Sequence, residues 1–170
     1  RGKDVNVSSI DALVKGIADD GGLYVPTNFY NIDNLEQMVN FDYKSLACEI
    51  IKNFFPEFSE EEILEYVKSA YDNKFGTPQI APVVNKAGAY FLELFHGPTL
   101  AFKDMALTLL PHLLIGAGKK SNKSEEIVIL TATSGDTGKA ALEAFKDIKG
   151  AKIIVLYPSE GVSEIQKRQM

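Results

Sequence analysis

The residue of this sequence that is best placed to take part in a reaction is Lys103, which lies in the segment Phe91–Asp104, FLELFHGPTLAFKD. The segment predicts a strand, a tight Gly-Pro turn and a helix that begins around Lys103. The lysine has apolar neighbours: Leu100, Ala101, Phe102 and Met105. Partial dehydration disfavours the ammonium form of an amine and makes it a better nucleophile. We therefore predict that Lys103 faces a cleft and can form an imine with an aldehyde; the alternative is a surface lysine at a helix start.

A second candidate site is the turn Thr133–Gly138, TSGDTG, which follows the apolar run Ile127–Ala132 and precedes a predicted helix. Backbone N–H groups at a helix start, with nearby hydroxyl groups, can bind an anion. A nucleotide P-loop would need glycine at position 133 and Ser or Thr at position 140, but the chain has Thr133 and Ala140. The motif GxGxxG does not fit either. An ordinary strand-to-helix turn is the alternative to an anion site.

Three residues near Lys103 have two interpretations each. His96 could reach a substrate or cofactor, or it could bond to the backbone of the turn. Thr99 could contact phosphate, although capping of the following helix is the better interpretation. Phe102 could pack against a bound ring or into the core.

The composition is that of an ordinary globular domain: of 170 residues, 45% are hydrophobic and 24% charged. The net charge of −5 argues against nucleic-acid binding, which favours a basic surface. A single cysteine, Cys48, excludes a disulfide within the chain, and with only two histidines a zinc site is not expected. We find no signal peptide or membrane span in the sequence, so we expect no membrane partner and a cytoplasmic protein.

The type of predicted element changes near residue 75. Residues 9–72 are predicted to form helices, with caps at Ser8 or Ser9 and at Asp42, and with a capping box from Ser59 to Glu62. Residues 79–170 predict alternating strands and helices. Short strands are expected at Ile80–Asn85 and Tyr90–Phe95, and strands buried on both faces at Ile127–Ala132 and Lys152–Tyr157.

Helices are expected at three places in this second region: Phe102–Ile115, Asp136–Phe145 and from Ser163 onward. Pro111 should kink the first helix or start a new one. Alternation of apolar strands with helices predicts an α/β fold with parallel strand pairing.

The motif HGPTLAFKD, together with TATSGDTG at Thr131–Gly138, resembles threonine synthase. This family belongs to the pyridoxal 5'-phosphate (PLP) enzymes that share the tryptophan-synthase β fold. The segments GGLYVP, IVLYP and GVSEIQKRQM resemble other parts of the same family in the same order, so the resemblance covers essentially the whole chain. Threonine synthases commonly have Asp at the position of Asp136, where other members of the fold have Asn.

The resemblance implies a small N-terminal helical domain at residues 1–78 and, at residues 79–170, the first part of a three-layer αβα PLP-binding domain with a largely parallel sheet. It implies conversion of O-phospho-L-homoserine and water to L-threonine and phosphate. Lys103 would hold the cofactor and act as base and acid, and Phe102 and Asp136 would also contact the cofactor. The expected substrate-binding residues are His96, Thr133, Ser134, Gly135 and Thr137.

Threonine synthases are more than twice as long as this chain, and their glycine-rich loop for the cofactor phosphate has no match here. We therefore expect a fragment that is inactive by itself and that can self-associate through an exposed sheet edge. Two alternatives remain open. One is another PLP lyase of this fold, such as a threonine-synthase-like phospholyase, and the other is a non-catalytic docking module.

Overall fold

The computed structural model describes residues 2, 5–32, 35–122 and 125–170. Within these residues, eight helices and four strands form. The helices are α1 (Ser9–Lys15), α2 (Leu35–Met38), α3 (Tyr43–Phe54), α4 (Glu60–Tyr71), α5 (Asp104–Leu107), α6 (Leu110–Lys120), α7 (Asp136–Phe145) and α8 (Glu164–Gln169). The strands are β1 (Val83–Lys86), β2 (Ala89–Leu92), β3 (Ile127–Ala132) and β4 (Ala151–Leu156).

The N-terminal helices begin at the predicted caps. The Ser8 hydroxyl accepts a first-turn amide of α1, and the Asp42 carboxylate accepts one of α3. At α4, Ser59 and Glu62 form both hydrogen bonds of the predicted capping box. Side-chain acceptors at these positions satisfy amides that have no partner inside the helix, which defines where each helix starts.

The larger core joins the N-terminal helices to α6. Its buried members are Ile10, Phe58, Ile63, Val67, Ala70, Tyr71, Ile80, Leu109, Leu113 and Ala117. Residues from both sides of position 78 therefore share one core, because one face of α6 packs against α1 and α4. A domain boundary at residue 78 remains a prediction.

The strands β1 and β2 form an antiparallel hairpin that is displaced from the predicted spans Ile80–Asn85 and Tyr90–Phe95. The hairpin turn has Ala87 and Gly88 at φ 52° and 77°, and two positive φ values suit the twist of a two-residue hairpin. Ile80 lies outside the strand with φ 63° and is 3% exposed. Its burial in a turn, rather than in an extended strand, accounts for the later start of β1.

The strands β3 and β4 pair in parallel, as predicted, from Ile127 opposite Ala151 to Ala132 opposite Leu156. One face of this pair packs on Leu114 of α6 and on the end of α7. The prediction that both faces are covered was wrong for the described chain. The second face carries four side chains that are 51–65% exposed: Val128, Leu130, Ile154 and Leu156. Continuous apolar sequence indicates that a strand can be buried on both faces, but the described residues supply helices to one face only.

The predicted helix Phe102–Ile115 is divided into α5 and α6. Pro111 lies in the first turn of α6, where its missing N–H costs no helical hydrogen bond. The prediction that Pro111 starts a second segment is confirmed. The break leaves α5 as a single short turn directly after Lys103.

Candidate active site

Lys103 lies at the end of the turn that leads into α5. Its backbone is already helical, with φ −63° and ψ −23°, and its side chain is partly buried. The ammonium nitrogen Nζ lies 4.4 Å from the centroid of the Phe102 ring. A cation over an aromatic face is attracted by the ring quadrupole, so Phe102 helps to fix the direction of the lysine.

The cleft at Lys103 has a volume of about 710 Å³ and is mainly apolar. The residues that line it are Tyr43, Leu46, Ala81, Leu92, Leu94, Phe102, Lys103, Met105, Ala106, Leu107 and Thr137. Of the predicted site residues, the structure thus brings Lys103, Phe102 and Thr137 to one cleft. The prediction of a lysine facing a cleft rather than free solvent is consistent with this arrangement.

Asp104 shapes the turn before Lys103, a role that the sequence interpretation missed. Its side chain is 1% exposed, and its carboxylate accepts from the Thr99 amide at 2.8 Å and from the Thr99 hydroxyl at 2.6 Å. Thr99 was expected to cap the following helix, but its hydroxyl donates to Asp104 instead. Gly97 packs against this carboxylate, since a Cβ atom there would lie 2.5 Å from Asp104. The only sequence signal was an acidic residue directly after Lys103.

Thr133 organises the second turn. Its Oγ1 atom accepts the amides of Gly135 and Gly138, each at 3.0 Å. Gly135 has φ 149° and ψ −86°, a conformation that favours glycine because it carries no Cβ atom. Thr133 and Gly135 therefore shape the turn, and a role for either in substrate binding remains a prediction.

Ser134 and Thr137 differ in their placement. Ser134 is exposed at the tip of the turn, whereas Thr137 is partly buried and lines the cleft with Lys103. Both residues lie at the start of α7, where the first amides have no acceptor within the helix. The positive end of the helix dipole also lies there, so the start of α7 favours an anion next to the cleft.

Asp136 is held by two neighbours that the sequence did not connect with it. Gln166 Nε2 of α8 donates to Asp136 Oδ1 at 3.2 Å, and Lys139 Nζ lies 3.5 Å from the same oxygen. The hydrogen bond from Gln166 lowers the pKa of Asp136, burial opposes it, and the positive charges of Lys139 and Lys103 add to the lowering. Asp136 is therefore an anion near Lys103.

His96 lies outside the lining of the Lys103 cleft. Its Nε2 atom is 2.8 Å from Glu93 Oε2, and its ring lies on that of Phe95 with centroids 4.7 Å apart. Its backbone carbonyl accepts the Gly76 amide at 2.8 Å. The partners of His96 hold the segment before the turn, and a contact with substrate remains a prediction.

The N-terminal helices contribute to the cleft, which the sequence interpretation did not anticipate. Tyr43 and Leu46 of α3 form part of its wall. Spacing along the chain could not reveal this, because α3 and α5 come together only through tertiary packing.

A larger groove of about 850 Å³ lies between α1, the chain after it and the end of α3. Its described lining contains no lysine and none of the residues of the two motifs. We place the candidate site in the smaller cleft because the amine, the hydroxyl and the start of α7 meet there.

The described residues include no cluster suited to a metal ion and no helix suited to crossing a membrane. No group of three or more His, Cys, Asp or Glu side chains there is arranged to hold a metal ion. Among the same residues, no helix has the length and apolar character needed to cross a membrane.

The similarity to known proteins covers the chain from end to end. A family model described as "Threonine synthase N terminus" matches residues 1–71. Threonine synthase of Pseudomonas aeruginosa is 38% identical over 174 residues, which cover all of this chain and 36% of that protein. Human threonine synthase-like 1 is 34% identical over 171 residues, which cover 94% of this chain and 23% of that protein.

A solved structure extends the similarity to three dimensions. The crystal structure of PLP-bound threonine synthase from Brucella melitensis matches with a TM-score of 0.87 and 36% identity, over 96% of this chain and 36% of that one. The chain thus spans little more than a third of these threonine synthases, and its predicted α/β fold is confirmed. The resemblance of the chain to the N-terminal portion of threonine synthases is likewise confirmed.

Proposed function

We propose that the protein containing this chain is a threonine synthase, which converts O-phospho-L-homoserine and water to L-threonine and phosphate with PLP as cofactor. One observation carries the proposal. The amine of Lys103 and the hydroxyl-bearing start of α7 meet at a single apolar cleft, in a chain similar throughout to threonine synthases. That combination supplies a nucleophilic amine next to a place for a carboxylate.

The described residues fit the proposed cofactor. A cleft of about 710 Å³ lies within the range of small-molecule sites, roughly 300–1,000 Å³. Its apolar wall suits a flat aromatic ring, and Lys103 provides a primary amine for an aldehyde carbon. When bound, PLP would supply the electron sink for a carbanion, while the protein supplies position and charge.

Lys103 Nζ would hold the cofactor's aldehyde carbon and would also move the proton of the substrate Cα as general base and acid. The partly buried position of Lys103 limits competition from water for that proton. Phe102 would restrict the lysine to one side of the cleft, because its ring lies 4.4 Å from Nζ.

The start of α7 would bind the substrate α-carboxylate. Its amides, with the hydroxyl groups of Ser134 and Thr137, offer donors that a carboxylate accepts. Asp136 would lie beside the cofactor's ring hydroxyl, and Gly135 would allow close approach of the backbone. His96 is the proposed contact for a more distant part of the substrate.

We propose further that residues 1–170 are not active by themselves. None of the site residues proposed here binds the phosphate of PLP or the phosphate of the substrate. The proposed compartment is the cytosol, a proposal that rests on the sequence alone. A second candidate function is that of another PLP lyase of the same fold, such as a threonine-synthase-like phospholyase; the chain is also similar to a protein named threonine synthase-like 1.

The test uses the complete protein with PLP and O-phospho-L-homoserine, and measures threonine and phosphate. We expect equal amounts of both products, and we expect Lys103→Ala to abolish them while Lys86→Ala, on the exposed hairpin, retains full activity. Phosphate released without threonine would favour the phospholyase. Absence of both products, and of PLP binding, would favour the docking module.

A further inference from the structure

The helix α5, which follows Lys103, is too short to be stable by itself. It has four residues, and a helix of this length is unstable without tertiary contacts because nucleation is costly. The position of Lys103 therefore depends on what holds α5 in place.

The carbonyl of Met105 in α5 lacks its usual helical partner. In a continuous helix it would accept the amide of Leu109, but that amide donates to Ala106 at 3.2 Å instead. The Tyr71 hydroxyl of α4 donates to the Met105 carbonyl at 2.7 Å and takes the place of the missing amide. A side chain of the N-terminal helices thus completes the backbone of the lysine segment.

The direction of this hydroxyl is fixed by packing. Tyr71 is 4% exposed, and its ring contacts Tyr43 edge-on at 5.0 Å and Phe75 at 5.6 Å between centroids. A buried hydroxyl requires a partner, and the Met105 carbonyl provides one. Tyr43 also lines the Lys103 cleft, so the aromatic cluster extends from the core to the site.

We infer that Tyr71 is a positioning residue for Lys103, because its hydroxyl holds α5 by the Met105 carbonyl and so holds the amine at the cleft. The inference deepens the proposed function and depends on it for the role of Lys103. It assigns to the N-terminal helices an indirect part in PLP attachment, through a residue that does not line the cleft.

The test is Tyr71→Phe in the complete protein, with Tyr66→Phe as the matched control. Tyr66 is also in α4, but its ring packs against Phe58 and its hydroxyl lies next to Gly116 of α6. One assay measures PLP affinity and the fraction fixed to Lys103 by borohydride, per folded protein. A second measures amide hydrogen exchange at residues 104–109 without cofactor.

We expect Tyr71→Phe to weaken PLP affinity roughly tenfold and to accelerate exchange at residues 104–109 by a similar factor, because a carbonyl loses its donor. Exchange in α6 should change far less, and Tyr66→Phe should match the unchanged protein in both assays. Equal results for the two variants, or an even rise in exchange across α4, α5 and α6, would overturn the inference.

Two further outcomes are distinguishable. If the unchanged protein fixes no PLP at Lys103, the proposed function fails, while the exchange assay still decides whether Tyr71 holds α5. If Tyr71→Phe does not fold, Phe75→Leu removes one of the two rings that orient Tyr71 and should give a smaller loss in the same direction. A folded Phe75→Leu protein with unchanged affinity and exchange would contradict the inference.

Discussion

Single residues of the candidate site fall into two groups, those that face the cleft and those that hold its turns. Lys103 and Thr137 line the cleft, whereas Asp104 and Thr133 bond to the backbone around them. The sequence analysis expected a direct role for Lys103, Thr137 and Thr133, and gave none to Asp104. In the sequence, the residues that hold the turns cannot be told from those that face the cleft. The hydrogen bonds in the structure distinguish the two groups.

Replacement of Thr137 by Ala in the complete protein should weaken substrate affinity by about tenfold, because a charge-assisted hydrogen bond to a carboxylate is worth roughly 1.5–3 kcal/mol. Ser134→Ala should act in the same direction. Equilibrium binding of O-phospho-L-homoserine measures both effects. Unchanged affinity in both variants would leave the turn with a structural role only.

Thr133→Val should act on stability instead. It removes the acceptor of two amides in the turn, and each unsatisfied amide costs about 1–3 kcal/mol where it is shielded from water. The urea midpoint should therefore fall in Thr133→Val and stay nearly constant in Ser134→Ala, whose side chain is exposed. Equal midpoints for the two variants would contradict the assigned role of Thr133.

At the scale of elements, local chemistry predicted helix starts well. Ser8, Asp42 and the Ser59–Glu62 box cap the helices as expected, because these interactions involve only neighbouring residues. The sequence pattern did not predict long-range packing. The bond from Tyr71 to Met105 and the place of α3 at the cleft depend on how distant elements meet. The turn at Ile80 is a similar case, since the burial of one side chain moved the start of β1.

His112 of α6 should make the stability of the fold depend on pH. Burial lowers the pKa of His112, the positive charge of Lys74 lowers it further, and Glu65 opposes them. His112 Nε2 is buried without a hydrogen-bond partner among the described residues. Because the folded chain resists protonation, the unfolded chain binds more protons below its ordinary pKa of about 6.5. Stability should therefore fall as the pH drops below that value.

Urea unfolding of the unchanged chain and of His112→Gln, from about pH 7.5 to below the ordinary histidine pKa of roughly 6.5, tests this expectation. The free energy of unfolding should decline less with falling pH in the variant, because one proton-linked group has been removed. Identical slopes in the two proteins would show that His112 does not contribute.

At the scale of the whole molecule, the parallel pair β3–β4 leaves apolar surface uncovered. In the described part of the chain these strands pair only with each other, so both outer edges are free. One face also exposes apolar side chains, among them Leu130 and Ile154 at 65% and 51%. Unpaired edges and apolar faces favour association between chains. The exposed sheet edge was predicted from the sequence, whereas the exposed apolar face of β3 and β4 is seen only in the structure.

The 170-residue chain should therefore associate with itself as its concentration rises. Leu130→Lys places a charge on the exposed face and should shift the chain toward monomer. Val39→Lys, at a residue that is 82% exposed but distant in sequence from these strands, is the control. Sedimentation velocity over a range of concentrations measures the difference. A monomeric unchanged chain, or equal effects of the two substitutions, would rule out association through β3 and β4.

The central claim is that Lys103 is the amine that holds PLP. The most direct measurement is borohydride reduction of the complete protein with PLP, followed by peptide mapping. We expect the label on Lys103, and we expect Lys103→Ala to lose it without transfer to another lysine. A label on Lys86, Lys119 or Lys139 in place of Lys103 would contradict it.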